Sequence, residues 1–475
     1  MTTLKNQQTI GERPGYVPKI LQFGTGNFLR AFLGPMVEAL NAQTGFAGSL
    51  VMVKATDSPS RAYEALLAQD GLYHLWIRGL QAGQQVDRLQ LIKCVDRVIH
   101  PYTAFAEFLA LATVHSIEFV VSNTTEAGIQ FEAEDWPENG PARQFPGKLT
   151  QLLYARFRHF SGDPNSGWTI LPCELIEDNG QALLACVLRY AEHWRLGEDF
   201  QAWLLMANHF CDTLVDRIVP GFPHQELATA EARIGYPDRQ VVVAEPYSLW
   251  AIKAPEVVRS KLPLDQLNLN VQFTNDLDRY RTLKVRILNG AHTAMVPIGL
   301  RNGYETVGEF VRSEEGVRFV EELLYDEILP TLPQAGPEKQ AYARTVLDRF
   351  RNPYLQHRLA DIALNSIAKF RTRLWPSLQY WLEHNEQAPP RLLQAFTALL
   401  LLYRGDTIPL QDEPAHLAYF ADSWSRIASG GAPDDLVGYA VGSEEVSTRY
   451  PQFMAQVYQA LQPGGASLLT VVEKG

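Results

Sequence analysis

The chain has 475 residues, 46% of them hydrophobic and 20% charged, and a formal net charge of −11. That length suits two or three domains, each with its own core. The acidic balance without a basic stripe argues against a nucleic-acid partner, while an anionic substrate stays open because local charge decides it. Cys94, Cys173, Cys186 and Cys211 are scattered with no C-x-x-C pair, so reduced thiols are expected rather than a disulfide framework or zinc site. The segment Met1–Arg13 is polar and lacks the apolar stretch of a signal peptide. The longest apolar run, Ala398–Tyr403, is too short to span a membrane. A cytoplasmic protein with no membrane partner is expected.

Lys19–Phe23 reads as a short apolar strand, followed by Gly24-Thr-Gly26-Asn-Phe-Leu-Arg30 and a helical pattern to about Leu40. Leu50–Val53 is the next strand. Strand, glycine turn, helix and strand open a dinucleotide-binding unit. Gly24 permits the tight turn, and Gly26 lets a pyrophosphate approach the helix N-terminus. Phe23, Gly24, Gly26, Asn27 and Phe28 are the cofactor-binding candidates. Leu29 stands where the usual fingerprint has its third glycine. After the second strand, Asp57 either takes the adenosine ribose of NAD or caps the helix beginning near Ser58. Lys54 keeps NADP open as the alternative.

Phe119–Ser122 is a buried strand ending in Asn123-Thr-Thr125-Glu126-Ala-Gly128. Polar residues past the carboxyl end of a parallel strand lie where open α/β sheets bind ligands. Asn123, Thr125 and Glu126 are therefore candidates for the nicotinamide side, with a plain polar turn as the alternative. Trp168–Pro172 is a further strand leading into Cys173-Glu174-Leu175. His209, Cys211 and Asp212 match no standard metal spacing, so no metal is expected. Asp216-Arg217 reads as a buried ion pair or a substrate contact, and Val241–Ala244 as one more strand.

The texture changes near residue 275. Apolar periodicity predicts helices near 308–330, 339–351, 354–385, 391–404, 414–428 and 450–461. An α/β, Rossmann-type dinucleotide-binding domain over residues 1–275 followed by an all-α domain over 276–475 is expected. At the head of the second lies Lys284-Val-Arg-Ile-Leu-Asn289-Gly-Ala-His292. On an α-helix Lys284, Asn289 and His292 span an arc of about 140° and can face one cleft. A lysine desolvated in an apolar setting trades a proton near neutrality. An asparagine amide holds an oxygen where negative charge develops, and a histidine fixes a neighbouring hydroxyl. Together they suit redox chemistry at a carbonyl, although a polar helix rim would look the same. Further on, Arg358, Asn365, Lys369 and Arg373 share an arc of about 80° on the expected helix 354–385, a receptor for a carboxylate or a solvated basic face.

These segments resemble the polyol-specific long-chain dehydrogenases, the mannitol dehydrogenase family. The likeness rests on Lys284-x4-Asn289-x2-His292, Gly24–Arg30, Thr125-Glu126 and Leu214-Val-Asp216-Arg217-Ile, and it runs from about residue 17 to 460. Ser122–Gly128, Pro172–Ile176, Ile287–Thr293, Arg349–Tyr354 and Lys369–Arg373 are most similar to the branch that interconverts D-tagaturonate and D-altronate. The resemblance implies metal-independent NAD chemistry on a small ketouronate or polyol. It implies Lys284 as acid/base, Asn289 as oxyanion holder, His292 as substrate positioner, and Asp216 and Lys369 as hydroxyl contacts. Arg373 or Arg358 would join Lys369 at the carboxylate. Two positions depart from the family pattern. Leu175 stands where many members carry a second oxyanion asparagine, which leaves Asn289 alone or brings in Asn179 or another donor. Asp361 stands where an arginine is expected, with Arg358 a turn away. Fructuronate reduction, neutral polyol oxidation and a nucleotide-binding regulator without turnover remain as alternatives. The sequence gives no oligomeric state.

Overall fold

The computed structural model describes residues 15–124 and 128–462. The chain divides into two compact units, Met1–Arg78 with Val86–Leu277, and Gly79–Gln85 with Asp278–Gly475.

The first unit is built on a six-stranded sheet. Its order is β5-β2-β1-β6-β7-β8, and its neighbours pair in parallel. These are β1 (Val17–Phe23), β2 (Gly48–Val53), β5 (Val95–Ile99), β6 (Phe119–Ser122), β7 (Thr169–Pro172) and β8 (His209–Phe210). Period-two alternation sends Ile20, Leu50, Met52, Phe119 and Val121 into one core and Leu21, Phe23, Val51, Val53 and Val120 into another. Helix α1 (Asn27–Gln43) covers the first face with Leu29, Phe32 and Met36. Helices α3 (Phe145–His159) and α4 (Asn179–His193) contribute Leu149, Leu153, Leu183 and Val187 to the second core. Both faces are covered, so the strands read as continuous apolar runs. Helix α2 (Arg61–Ala68) follows β2.

Two three-stranded sheets complete the unit. One runs β10 (Val242–Ala244), β3 (Tyr73–Gln81), β4 (Gln84–Ile92). The other runs β12 (Val271–Phe273), β11 (Leu249–Lys253), β9 (Asp212–Asp216), with β9 antiparallel to β11.

The second unit is helical. A π-helical turn, Lys284–Asn289, leads into α5 (Gly290–Arg301), whose Ala291, Ala294, Met295 and Ile298 lie at the centre of the core. Helix α6 (Gly336–Phe350) follows after the Val307–Arg312 and Glu314–Glu322 helices. The single helix expected over 354–385 is three pieces: α7 (Leu359–Ile362), α8 (Ser366–Arg373) and α9 (Trp375–Asn385). The first break falls at Asn365, with φ 52° in the left-handed region that asparagine tolerates. The second falls before Pro376, which the first turn of α9 accepts and a helix interior would not. A helix not anticipated, Asp434–Val441, ends on Gly442 at φ 76°. Among the described residues no helix is long and apolar enough to cross a membrane.

Candidate active site

In the first unit the chain turns at the carboxyl end of β1. Neighbours of β1 lie on both sides there, β2 and β6, which makes it the switch point where open α/β sheets bind ligands. Gly24 takes φ 113°, and its N–H donates to the Val53 carbonyl at 2.9 Å. A Cβ at Gly24 would stand 3.0 Å from the Asn123 carbonyl oxygen. A Cβ at Gly26 would meet no atom within 4 Å. Gly26 is also the N-cap of α1 and offers no side-chain acceptor to the first turn. Backbone N–H groups at an uncapped helix end, approached over a bare glycine, fit a dinucleotide pyrophosphate.

This turn is braced by a residue the sequence reading passed over. Buried Arg30 donates to the Thr25 carbonyl (3.2 Å), the Asn27 side chain (2.7 Å) and the Gln240 carbonyl (2.6 Å). Phe28 is half-buried and stacks on Phe32, while Phe23 packs in the core against Phe108 and Phe145.

Lys54 and Asp57 part ways. Lys54 is buried, and its ammonium donates to the carbonyls of Thr56 (2.5 Å) and Ser58 (2.6 Å). Burial lowers its pKa, and Asp57 partly offsets that. The N-cap of α2 is Ser60, whose hydroxyl accepts from the Tyr63 N–H, so Asp57 is not a cap. Asp57 is exposed in the loop that Lys54 ties down.

At the end of β6, Asn123 donates to the Cys173 carbonyl at 2.8 Å. Thr125 and Glu126 lie outside the described residues. The approach to them is organised by Glu174, another residue not singled out from sequence. Its carboxylate accepts from the Ser122 hydroxyl (3.0 Å), the Thr124 N–H (2.8 Å) and the Thr124 hydroxyl (2.9 Å). Burial raises its pKa against the pull of those bonds. Leu175, at the position of the missing asparagine, is 58% exposed. Asn179 does not replace it. Its buried amide donates to the carbonyls of Pro172, Glu174 and Thr213, each at 3.0 Å, and accepts from the Thr213 N–H. Asp216 is buried at the end of β9. Arg217 donates to the carbonyls of Ala31 and Glu245, and burial lowers its pKa to about 10.

In the second unit Lys284 and Asn289 begin and end the π turn, both half-buried. On α5, His292 is buried with its Nε2 atom lacking a hydrogen-bond partner among the described residues. Its ring lies 4.6 Å from Phe350 and 4.9 Å from His357, centroid to centroid. Burial first, then His357, Arg349, Arg373 and Lys369, push its pKa well below the usual histidine range, so the imidazole is neutral. Lys369 and Arg373 stand one turn apart on α8, partly buried, and burial lowers both pKa values. Lys369 donates to the Ile362 carbonyl at 2.8 Å, and Arg373 to the Thr293 hydroxyl at 3.3 Å. Arg358 is exposed in extended backbone ahead of α7, so no continuous helix carries it onto the face of Lys369 and Arg373. A neutral imidazole near Lys369 and Arg373, with an amine and an amide on the preceding π turn, suits hydride chemistry on a carbonyl compound.

A Rossmann-type unit is the usual carrier of a hydride donor, so the fold and such a set fit a dehydrogenase. The chain belongs to the mannitol dehydrogenase family: residues 18–266 match the model of its Rossmann domain and residues 276–422 that of its C-terminal domain. Full-length relatives narrow the likeness. The altronate oxidoreductase of Klebsiella pneumoniae (strain 342) is 45% identical, over 100% of this chain and 98% of its own length. That of Bacillus subtilis (strain 168) is 45% identical over 86% of this chain and 85% of its own length. Among solved structures, a substrate-free D-sorbitol dehydrogenase superposes with TM-score 0.77 at 18% identity, covering 98% of this chain and all of its own. The Pseudomonas fluorescens mannitol 2-dehydrogenase, in ternary complex with NAD and D-mannitol, gives 0.67 at 20% identity over 97% of each chain.

Proposed function

We propose that this protein interconverts D-tagaturonate and D-altronate with NAD(H). The observation that carries the substrate class is the pair Lys369 and Arg373, two partly buried cations with no ion-pair partner among the described residues. Partly buried cations without an ion pair are costly, and a substrate carboxylate offsets that cost where a neutral polyol would not. The likeness to altronate oxidoreductases over most or all of the chain supports the same reading.

When bound, the nicotinamide supplies the hydride for ketone reduction and accepts it in the reverse direction. Lys284, as ammonium, gives its proton to the oxygen of the carbonyl as charge develops there. In altronate oxidation it takes that proton as the amine. Asn289 donates a hydrogen bond to the same oxygen. His292, neutral, pairs through its unpartnered Nε2 with a neighbouring substrate hydroxyl. Lys369 and Arg373 receive the carboxylate, and Asp216 holds a hydroxyl. The oxyanion then relies on Lys284 and Asn289, since Asn179 is committed elsewhere. The first domain, residues 1–275, holds the cofactor. Gly24, Gly26, Asn27 and Phe28 are assigned to its pyrophosphate, Asp57 to its ribose and Asn123 to its nicotinamide side. The second, residues 276–475, brings the catalytic set.

The test is the loss of NADH absorbance with tagaturonate, fructuronate and fructose offered side by side. Preference for tagaturonate is expected. Preference for fructuronate would keep the mechanism and change the substrate. Fructose as the best substrate would remove the carboxylate role.

A further inference from the structure

We infer that Thr293 is a positioning residue that aims Arg373 at the substrate carboxylate, and so sets the selectivity of the site. The inference rests on the ketouronate reading above. Thr293 is buried on α5, one residue beyond His292. Its hydroxyl has a single proton, which it donates to the backbone carbonyl of Asn289 at 2.9 Å. With the proton spent there, the oxygen is left as an acceptor. Nη1 of Arg373 takes that place at 3.3 Å, across 80 residues of sequence.

Arg373 depends on this contact. It has no ion pair among the described residues, and the Thr293 hydroxyl is its hydrogen-bond partner there. A guanidinium carries five donors in a rigid fork, so fixing one leaves a defined edge for a bidentate carboxylate. Lys369, one turn earlier on the same helix, is fixed in the same way by the Ile362 carbonyl. The backbone permits this closeness: a Cβ at Gly290 would stand 3.5 Å from the Arg373 carbonyl oxygen, so the last turn of α8 lies against the first residue of α5. The unpartnered Nε2 of buried His292 is adjacent in sequence, and Arg373, Lys369, Arg349 and His357 all act on that imidazole electrostatically. Basic groups from three segments therefore act on one neutral imidazole. This arrangement matches a ligand with a carboxylate at one end and hydroxyls beside it.

Thr293→Val keeps the shape and removes both hydrogen bonds, while Thr293→Ser keeps them. The expected result for Thr293→Val is a rise in KM for tagaturonate of at least tenfold, with kcat within about threefold of wild type. Affinity for NADH, read by fluorescence titration, should be unchanged, and Thr293→Ser should restore KM. An unchanged KM overturns the inference. So does a loss confined to kcat, which would mean that the hydroxyl only supports the turn bearing Asn289. The wild-type substrate panel separates the two claims. If fructose is preferred over both ketouronates, the function reading fails and this inference falls with it. If the ketouronate is preferred and KM does not move in Thr293→Val, this inference alone is wrong.

Discussion

Lys284 and Asn289 begin and end one π-helical turn. Five residues apart on an α-helix they would point about 140° away from each other. The i→i+5 bonding of a π turn carries them toward one face. The proposed acid/base and oxyanion donor meet at one substrate oxygen, and the π turn narrows the arc that a regular helix would leave between them. Replacing Lys284 with Ala should lower kcat by about 10²–10⁴-fold, the usual worth of general acid–base catalysis. NADH titration should show binding intact. Turnover near wild type would remove Lys284 from the proton transfer.

Lys369→Ala should damage ketouronates far more than neutral ketoses. The lysine forms no ion pair among the described residues, the Asp412 charge acting on it without a salt bridge, so a carboxylate substrate loses a partner where fructose loses little. The readout is the ratio of kcat/KM for tagaturonate to that for fructose. A tenfold or larger fall in that ratio is expected, whereas equal losses on both would argue against a carboxylate contact.

Lys54 separates two cofactor readings. Its ammonium is spent on the carbonyls of Thr56 and Ser58, and so braces the loop carrying exposed Asp57. Lys54→Met should cost about 1 kcal/mol of stability, because the part-buried carbonyls of Thr56 and Ser58 lose a charged donor. It should also weaken NADH binding. If Lys54 instead served a 2′-phosphate, the variant would lose NADPH binding selectively and keep NADH. Parallel fluorescence titrations with both nucleotides decide between them.

Gly24→Ala should destabilise the first unit by about 1–3 kcal/mol, since φ 113° is strained for any residue with a Cβ. The added methyl also presses on the Asn123 carbonyl at 3.0 Å. A lowered Tm together with weakened NADH binding is expected. An unchanged Tm would show that the turn relaxes at no cost.

The His292 imidazole gives a pH prediction. Its folded-state pKa lies well below the ordinary value of 6.5 because of burial and the surrounding cations. Below about pH 6.5 the unfolded chain takes up a proton that the folded chain refuses. Stability from this group is therefore complete above that pH and is lost as the pH falls toward the folded-state value. His357 is shifted in the same direction, chiefly by burial. Thermal melts at pH 7 and pH 5 should show a smaller drop in Tm for His292→Gln than for wild type. Identical drops would mean that His292 is not linked to the acid response.

Sequence alone determined what local pattern can encode. Strand, glycine turn, helix and strand were legible because apolar period and glycine placement act within a few residues. The change to helix after about residue 275 and the Lys284–His292 signature were legible for the same reason. Tertiary structure decided how polar side chains are spent. Lys54 is turned inward on its own loop, Asn179 is consumed by three carbonyls, and Glu174 gathers the end of β6. It also broke the expected helix at Asn365, which separates Arg358 from Lys369, and wound Lys284–Asn289 as a π turn. The Thr293–Arg373 contact joins residues that no local window sees together. The physical reason is range. Propensity and periodicity report on neighbours in the chain, whereas buried hydrogen bonds are satisfied by whatever the fold brings within about 3 Å.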